Sequence, residues 1–468
     1  MLSTGFFGGR ELSEKCAVFG AYGVTEAARA AFYGLWALQH RGQESSGIVS
    51  ADGMRLYRHT GTGLVANAYH EEDLEQLAGH VAIGHNRYST SGGAGDHHSQ
   101  PFWDRDLQFA FAHNGNLPTT DKLARFLETK KISTERLNDS AMMAAAIRYF
   151  ISQGKDIGKA VIAAFPLFEG AFSAVAMTPH TLVAFRDHCG IRPLVIGQLG
   201  DGYIIASETC ALDTIGATFL QEVRPGQMVI IDSDGIRTRQ ITPGRSKLDI
   251  FEFVYFARPD SKIMGRSVNE VRENFGKQLA REYPLRADMV IPVPDSAIPA
   301  AQGYARASGL PLEMALIKNR YIHRTFIRPT AALRERDLQM KLNPIPEVIN
   351  NKRVIIVDDS IVRGTTTKKI VRMVRQAGAR EVHVLISSPP VKYPDFYGIN
   401  TPVQKDLIAA RMSVKEITAH MGADSLNYLS YDGMIKATSL PADAFSTSCF
   451  NGVYPVAIGE RAKEFVKL

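Results

Sequence analysis

The sequence predicts two unlike domains in series: an α+β domain rich in antiparallel strands, then an α/β domain on a parallel sheet. Three observations lead there. The 468 residues exceed one ordinary domain. Between 165 and 240, strand-like segments are punctuated by Pro225-Gly226 and Asp234-Gly235, pairs that favour hairpin turns. Val354-Ile355-Ile356-Val357 is β-branched throughout, as strands of a parallel sheet covered on both faces are.

Composition narrows the class. Hydrophobic content of 45% and charged content of 22% suit a soluble globular chain. No apolar run approaches the ~18 residues that cross a membrane. The opening MLSTGFFGGRELSEK is too polar for a secretory signal. A cytoplasmic protein with no membrane partner is expected. The net charge of +6 is spread along the chain without a dense basic tract, so no nucleic-acid partner is expected. The four cysteines, Cys16, Cys189, Cys210 and Cys449, form no CxxC pair. That argues against a disulfide framework or a self-contained zinc site, and for a reducing compartment.

In chain order, residues 1–15 form a polar leader. Cys16 to Gly20 reads as a strand that starts at a cysteine, and Ala27 to Leu38 as a helix. Leu38 to Gly47, LQHRGQESSG, mixes charged groups and glycines. Ile83 to Thr90 puts Arg87 and hydroxyls at a strand end, and Phe109 to Asn116 runs a strand into Asn114-Gly115. Each alone is a polar turn. Glu169 to Val175 reads as another strand and RDHCGIRP, Arg186 to Pro193, as a loop. Cys189 and Cys210 sit among small apolar residues and read as buried, inert thiols. Composition shifts over 241–250, the expected linker.

The second domain opens at Phe253, with a helix around Val271, Phe275 and Leu279. Met289 to Val293 reads as a buried strand before Asp295-Ser296 and a helix over 298–308. Ile317 to Phe326 is basic and aromatic, with Arg334, Arg336 and Lys341 beyond it. Then comes VIIVDDSIVRGTTTKK: strand, carboxylate pair Asp358-Asp359, a loop with Arg363-Gly364 and Thr365 to Thr367, and a helix over Lys368 to Arg375. Free N–H groups and hydroxyls at a helix start suit a phosphate, and Gly364 lets the backbone approach it. Two adjacent carboxylates suit vicinal sugar hydroxyls and a hard cation such as Mg²⁺. A phosphorylated ribose satisfies both. Glu381 to Ile386 reads as a further strand, ended by Ser387-Ser388-Pro389-Pro390.

VIIVDDSIVRGTT resembles the 5-phosphoribosyl-1-pyrophosphate (PRPP) signature of type I phosphoribosyltransferases. DDSIVRGTT followed by SSPP and FYGI is similar to one family among them, the glutamine PRPP amidotransferases. The segments at Cys16, 38–47, 83–90, 109–116 and ASETCA (206–211) resemble, in that order, the glutaminase domain of N-terminal-nucleophile amidotransferases. The resemblance covers nearly all of 16–460. It implies a propeptide (1–15), an αββα N-terminal-nucleophile hydrolase sandwich (16–245), and a type I phosphoribosyltransferase parallel α/β domain with a C-terminal helical extension (246–468).

The roles it implies follow residue by residue. Cys16 is the nucleophile once cleavage after Lys15 frees its amine, a base with a pKa of about 7.7–8. Asn114 and Gly115 supply oxyanion donors. Arg87 binds the glutamine carboxylate and Asp139 its ammonium. Here Asn138-Asp139-Ser140-Ala141 replaces the family's Ser-Asp-Thr-Glu. Arg41 and Gly42 shape the pocket. Asp295, Ser296, Lys318, Arg320, Asp358, Asp359, Arg363, Gly364, Thr365, Thr366 and Thr367 bind PRPP, and Ser296, Asp358 and Asp359 hold one Mg²⁺ per subunit. Feedback inhibition by purine nucleotides and a homo-oligomer, dimer or tetramer, are implied too.

Some members carry an iron–sulfur cluster on four cysteines. Those positions align here with Asp249, Asp395, Ser446 and Cys449, so no cluster is expected. The implied reaction is transfer of the glutamine amide nitrogen to C1 of PRPP. Two alternatives stay open: another glutamine amidotransferase of the same nucleophile class, and a PRPP-sensing regulator without catalysis.

Overall fold

Alternation along the strands builds the layers of the first half. In Ala17–Tyr22, Ala17, Phe19 and Ala21 pack with the helix Ala27–Ala37, while Val18 turns to the opposite side. In Phe109–Asn116, Phe109 and Phe111 pack on helices Asp121–Thr129, Asp139–Ser152 and Ile157–Ala164, while Ala110 and Ala112 meet Val18, Val49 and Ile83. The period of two therefore sends one row of each strand to a helix layer and the other into the space between two sheets. The computed structural model describes residues 16–87, 99–319, 342–397 and 403–465, and it has the expected αββα sandwich.

Both sheets are antiparallel. The seven-stranded one runs Thr218–Glu222, Val195–Leu199, Gly202–Ala206, Ala17–Tyr22, Val81–Arg87, Ser45–Ala51, Leu56–Thr62. The six-stranded one runs Gly235–Gln240, Gln227–Asp232, Thr181–Arg186, Ala171–Thr178, Phe109–Asn116, Phe102–Asp104.

The second half is built on four parallel strands in the order Met289–Pro292, Arg353–Asp358, Glu381–Ile386, Ser425–Tyr428. Val354 and Ile356 face one core, Ile355 and Val357 the other, and all four have zero exposure. A strand covered on both faces is what the β-branched run requires.

Two local expectations change. Thr365 to Thr367, read as loop, form the first turn of the helix Thr365–Gln376, because Gly364 enters it at φ +78° and lets the chain start turning earlier. The linker over 241–250 ends in structure: Leu248–Asp249 is a short strand parallel to Phe445–Ser446, and Leu248, Asp249 and Ile250 are buried. A composition shift does not reveal a partner strand nearly two hundred residues away. Phe253, where the second domain was expected to open, lies in the π-helical turn Glu252–Phe256. The expected propeptide and most of the basic segment after Asn319 lie outside the described residues.

Helices Val268–Glu282 and Ile298–Ser308 lie backbone to backbone because each has a glycine where the other's backbone approaches. A Cβ at Gly276 would stand 1.8 Å from the Ala300 carbonyl oxygen, and one at Gly303 1.9 Å from that of Glu273. Backbone cannot yield as a side-chain tip does. Gly276→Ala should therefore destabilise this half by about 1–3 kcal/mol, as overpacking does. Urea denaturation checks this, and an unchanged midpoint would contradict so close an approach.

Candidate active site

A cavity of about 260 Å³ opens at the ends of the two antiparallel sheets. Its lining includes Cys16, Arg87, His113, Gly115, Asn116, Asp139 and Arg461. Cys16 directly precedes the central strand of one sheet, and Arg87 ends the neighbouring strand. Gly115 sits near the end of Phe109–Asn116 at φ +148°, and a Cβ there would come within 2.0 Å of the Ala171 carbonyl oxygen, so only glycine fits.

Asp139 is the first residue of its helix, whose N-cap Asn138 accepts from the Ala141 N–H at 2.8 Å. The Asp139 carboxylate accepts from Leu117 N–H at 3.0 Å and Ser140 N–H at 2.8 Å. Those bonds orient it despite the changed neighbours.

By strand alternation Asn114 continues the inter-sheet row of Ala110 and Ala112, and Cys16 that of Val18. Asn114 is buried, and neither side-chain amide atom has a hydrogen-bond partner among the described residues. Such an amide costs about 1–3 kcal/mol unless something else satisfies it. Asn114 itself is not among the lining residues, but its neighbour Gly115 is. A sulfur, an arginine and a carboxylate around one small cavity can grip both α-groups of an amino acid and present its side-chain carbonyl for attack.

Two histidines missed by the sequence reading belong here. Burial pushes the His113 pKa down, against the pull of Asp139, so the ring is neutral; its Nδ1 lies 2.9 Å from Ser140 Oγ. Burial, with His113 and Arg87 nearby, lowers His85 to about 3. His113 was visible in FAFAHNGN but carried no sign of its orientation. Arg461 comes from the turn Gly459–Glu464 near the chain's end, which no local pattern could bring here.

Arg41, expected to shape the pocket, does not itself line the cavity, and it is wholly buried between two carboxylates. Its Nε donates to Glu208 Oε1, its Nη2 to Glu252 Oε2 at 2.5 Å, and its Nη1 to Glu252 Oε1 at 3.2 Å. Burial opposes the Arg41 charge, but Glu208 and Glu252 outweigh it and push its pKa up. The motif reading missed that its partners lie outside the motif. Gly42, also outside the lining, packs against the strand that carries Arg87: a Cβ would lie 2.7 Å from the Asn86 carbonyl carbon. Arg192 extends the charge chain, donating to Glu252 Oε1 at 3.2 Å and Asp249 Oδ2 at 3.1 Å.

In the second half, Asp358 closes its strand and Asp359 follows, both nearly buried. Ser360 Oγ donates to Asp359 Oδ1 at 2.8 Å, and Ser296 Oγ donates to Asp359 Oδ2. Asp295 follows a cis peptide after Pro294, and Lys318 Nζ reaches its Oδ2 at 2.5 Å. Arg363 lies 3.5 Å from Asp406. Thus Ser296 meets the acidic pair, Asp295 meets Lys318, and Gly364 with the three threonines opens the adjoining helix. Arg320 lies outside the described residues. Two carboxylates with a hydroxyl form an oxygen donor set that fits a hard cation.

The four aligned cluster positions converge. Asp249 pairs in register with Ser446, and Ser448 Oγ donates to Asp395 Oδ2 at 3.2 Å. Burial, with Asp249 and Asp395 beside it, pushes the Cys449 thiol well up. A single protonated thiol among oxygens does not fit an iron–sulfur cluster. Cys189 is likewise raised to about 12 by burial, and Cys210 is raised too.

A family model described as a glutamine amidotransferase domain matches residues 85–214, and one described as a phosphoribosyl transferase domain matches 264–391. The chain is 47% identical to an amidophosphoribosyltransferase of Synechocystis sp., covering 96% of this chain and 92% of that protein. It is 44% identical to the Bacillus subtilis amidophosphoribosyltransferase, covering 96% and 95%. Among solved structures it is similar to the B. subtilis glutamine PRPP amidotransferase complexed with ADP and GMP. The TM-score is 0.89 at 43% identity, covering 95% of this chain and 98% of that one.

Burial works against the Glu208 charge, yet Arg41 and His40 outweigh it and hold the carboxyl well below its ordinary 4.5. An acid with a depressed folded pKa adds stability above its ordinary value, and that stability is lost as pH falls through the folded one. Glu208→Gln should cost about 1–3 kcal/mol at pH 7, because the buried donors that bond its carboxylate lose a charged partner. It should also flatten the acid limb of stability below 4.5. Urea titrations at several pH values check this, and parallel pH profiles for parent and variant would refute it.

Proposed function

Since the chain belongs to the amidophosphoribosyltransferase family, we propose that it moves the amide nitrogen of glutamine to C1 of PRPP, the entry step of purine synthesis. The products are 5-phosphoribosylamine, pyrophosphate and glutamate. The observation that carries the reading is the single cavity shared by Cys16, Arg87, Gly115 and Asp139.

In this mechanism the first domain spans 16–245 and the second 246–468, and cleavage after Lys15 makes the Cys16 amine available as base. Arg87 takes the glutamine carboxylate as a fork donor, and Asp139 takes the ammonium. The amine accepts the thiol proton, and Cys16 Sγ attacks the side-chain carbonyl. The oxyanion is met by the Asn114 amide and the Gly115 N–H, fixed donors that need no reorganisation. The C–N bond breaks, the nitrogen leaves as ammonia with the returned proton, and a thioester remains. Water then frees glutamate and restores the thiol.

Ammonia reaches the second site inside the protein, where a dry path keeps it unprotonated. There Asp358 and Asp359 hold the ribose hydroxyls, and Arg363 with 364–367 holds the 5-phosphate. Asp295, Lys318 and Arg320 meet the pyrophosphate. Ammonia forms the bond to C1, the C1–O bond breaks, and pyrophosphate carries the electron pair away. Ser296, Asp358 and Asp359 would hold one Mg²⁺, which supplies charge neutralisation for the leaving pyrophosphate.

Purine nucleotides act as feedback inhibitors in this reading, which the ADP and GMP of the similar B. subtilis structure support. The enzyme is a cytoplasmic homo-oligomer, dimer or tetramer. No helix among the described residues is long and apolar enough to cross a membrane. The enzyme carries no iron–sulfur cluster, since Asp249, Asp395 and Ser446 offer oxygen where a cluster takes sulfur. Stoichiometric iron in protein purified without air would refute that.

Cys16→Ser should abolish the glutamine-dependent reaction and leave the ammonia-dependent one within about twofold, because the two chemistries use separate sites. Asp358→Asn with Asp359→Asn should cripple both, losing charged hydrogen bonds of about 1.5–3 kcal/mol each. Steady-state rates with glutamine and with ammonium check the pair. Equal loss of both activities in Cys16→Ser, or a double variant with normal PRPP turnover, would sink the two-site mechanism.

A further inference from the structure

We propose that Glu252 is a positioning residue for the glutamine cavity, acting across the junction between the halves through Arg41, Gly42 and the backbone of Arg87. The proposal rests on the glutamine-transfer reading of that cavity. Glu252 does not line the cavity and is fully buried. Both its oxygens hold Arg41, Oε1 from Nη1 at 3.2 Å and Oε2 from Nη2 at 2.5 Å. Two parallel bonds to a planar guanidinium set direction as well as distance.

Arg41 ends the short 3₁₀ turn Gln39–Arg41, and Gly42 follows it. Gly42 has no room to shift towards the next strand, since a Cβ would lie 2.7 Å from Asn86 C and 2.9 Å from Arg87 N. Glu44 N–H then donates to the Arg87 carbonyl at 3.1 Å. A change in the seat of Arg41 is thus delivered to the backbone of Arg87, whose side chain faces the cavity. The other end of the relay is firm. The turn Glu252–Phe256 follows the strand Leu248–Asp249, and Arg272 donates to the carbonyls of Phe253 at 2.7 Å and Ala257 at 2.9 Å.

Glu208 cannot replace Glu252. Its oxygens already serve His40, Arg41, Ser261 and the Arg258 N–H. Without the Glu252 charge, Arg41 keeps one anchor and can swing. A carboxylate on the junction segment thereby sets the geometry of a site built in the other half.

The test is the split between two activities in Glu252→Gln and Glu252→Asp. In Glu252→Gln the KM for glutamine should rise about tenfold, in the range usual for coupling between sites. The ammonia-dependent rate with PRPP should stay within about twofold. Glu252→Asp, which keeps the charge on a shorter arm, should fall between this variant and the parent. A merely structural role would lower both activities together, and that result, or an unchanged glutamine KM, overturns the proposal. If Glu252→Gln is recovered only unfolded, the same comparison in Glu252→Asp decides. If the parent makes no product from ammonia and PRPP, the functional reading fails. Positioning is then read from glutamine hydrolysis alone, where a raised KM supports it and an unchanged KM overturns it.

Discussion

Alternating charge from Glu208 through Arg41 and Glu252 to Arg192, which also donates to Asp249, is the constraint on which the rest of the molecule depends. Every member is buried. A buried ion is tolerated only when its partners stand at hydrogen-bonding distance, so each link dictates the position of the next. Residues from the first sandwich and from the junction segment therefore have one mutual arrangement. Replacing such a chain by packed apolar groups could hold the halves together, but with less control over direction, because dispersion contacts are not directional.

Both candidate sites use the same device: a strand delivers a side chain to a defined end point, and a glycine or helix start brings backbone N–H groups alongside. In the first half one strand ends in Arg87 and another carries Asn114-Gly115 just before its last residue, Asn116. In the second, Asp358 ends a strand and Gly364 starts a helix. The strands are fixed by two covered faces, so their ends are rigid points from which reacting groups can be aimed.

The region of Asp249, Asp395, Ser446 and Cys449 shows another solution to joining distant segments. The parallel pairing of Leu248–Asp249 with Phe445–Ser446 and the Ser448 bond to Asp395 tie the junction to the C-terminal part. Aromatic packing of Phe251 on Phe450 and of Phe253 on Phe445 closes the same space. These contacts serve as a cross-link made of hydrogen bonds and packed rings.

What the sequence by itself determined is what depends on neighbours along the chain. Turn-forming pairs marked hairpins, the β-branched run at 354–357 marked a sheet with both faces covered, and the order of Asp358, Asp359, Gly364 and the threonines suited a phosphorylated sugar. Cys16, Arg87, Gly115 and Asp139 were legible only through the ordered set of segments that resembles a known family, since each segment alone reads as a polar turn. Only the tertiary structure decided which of these share a cavity and which do not. Arg41 reads as a pocket residue until Glu208 and Glu252, far away in sequence, take up its guanidinium. His113 and Arg461 join the cavity through strand direction and a returning chain end. The segment over 241–250 reads as a linker until Phe445–Ser446 pairs with it. The reason is the same in each case. Local pattern sets backbone conformation, but the partner of a buried charge or an unpaired strand edge comes from wherever the chain folds back, and no short stretch of sequence encodes that meeting.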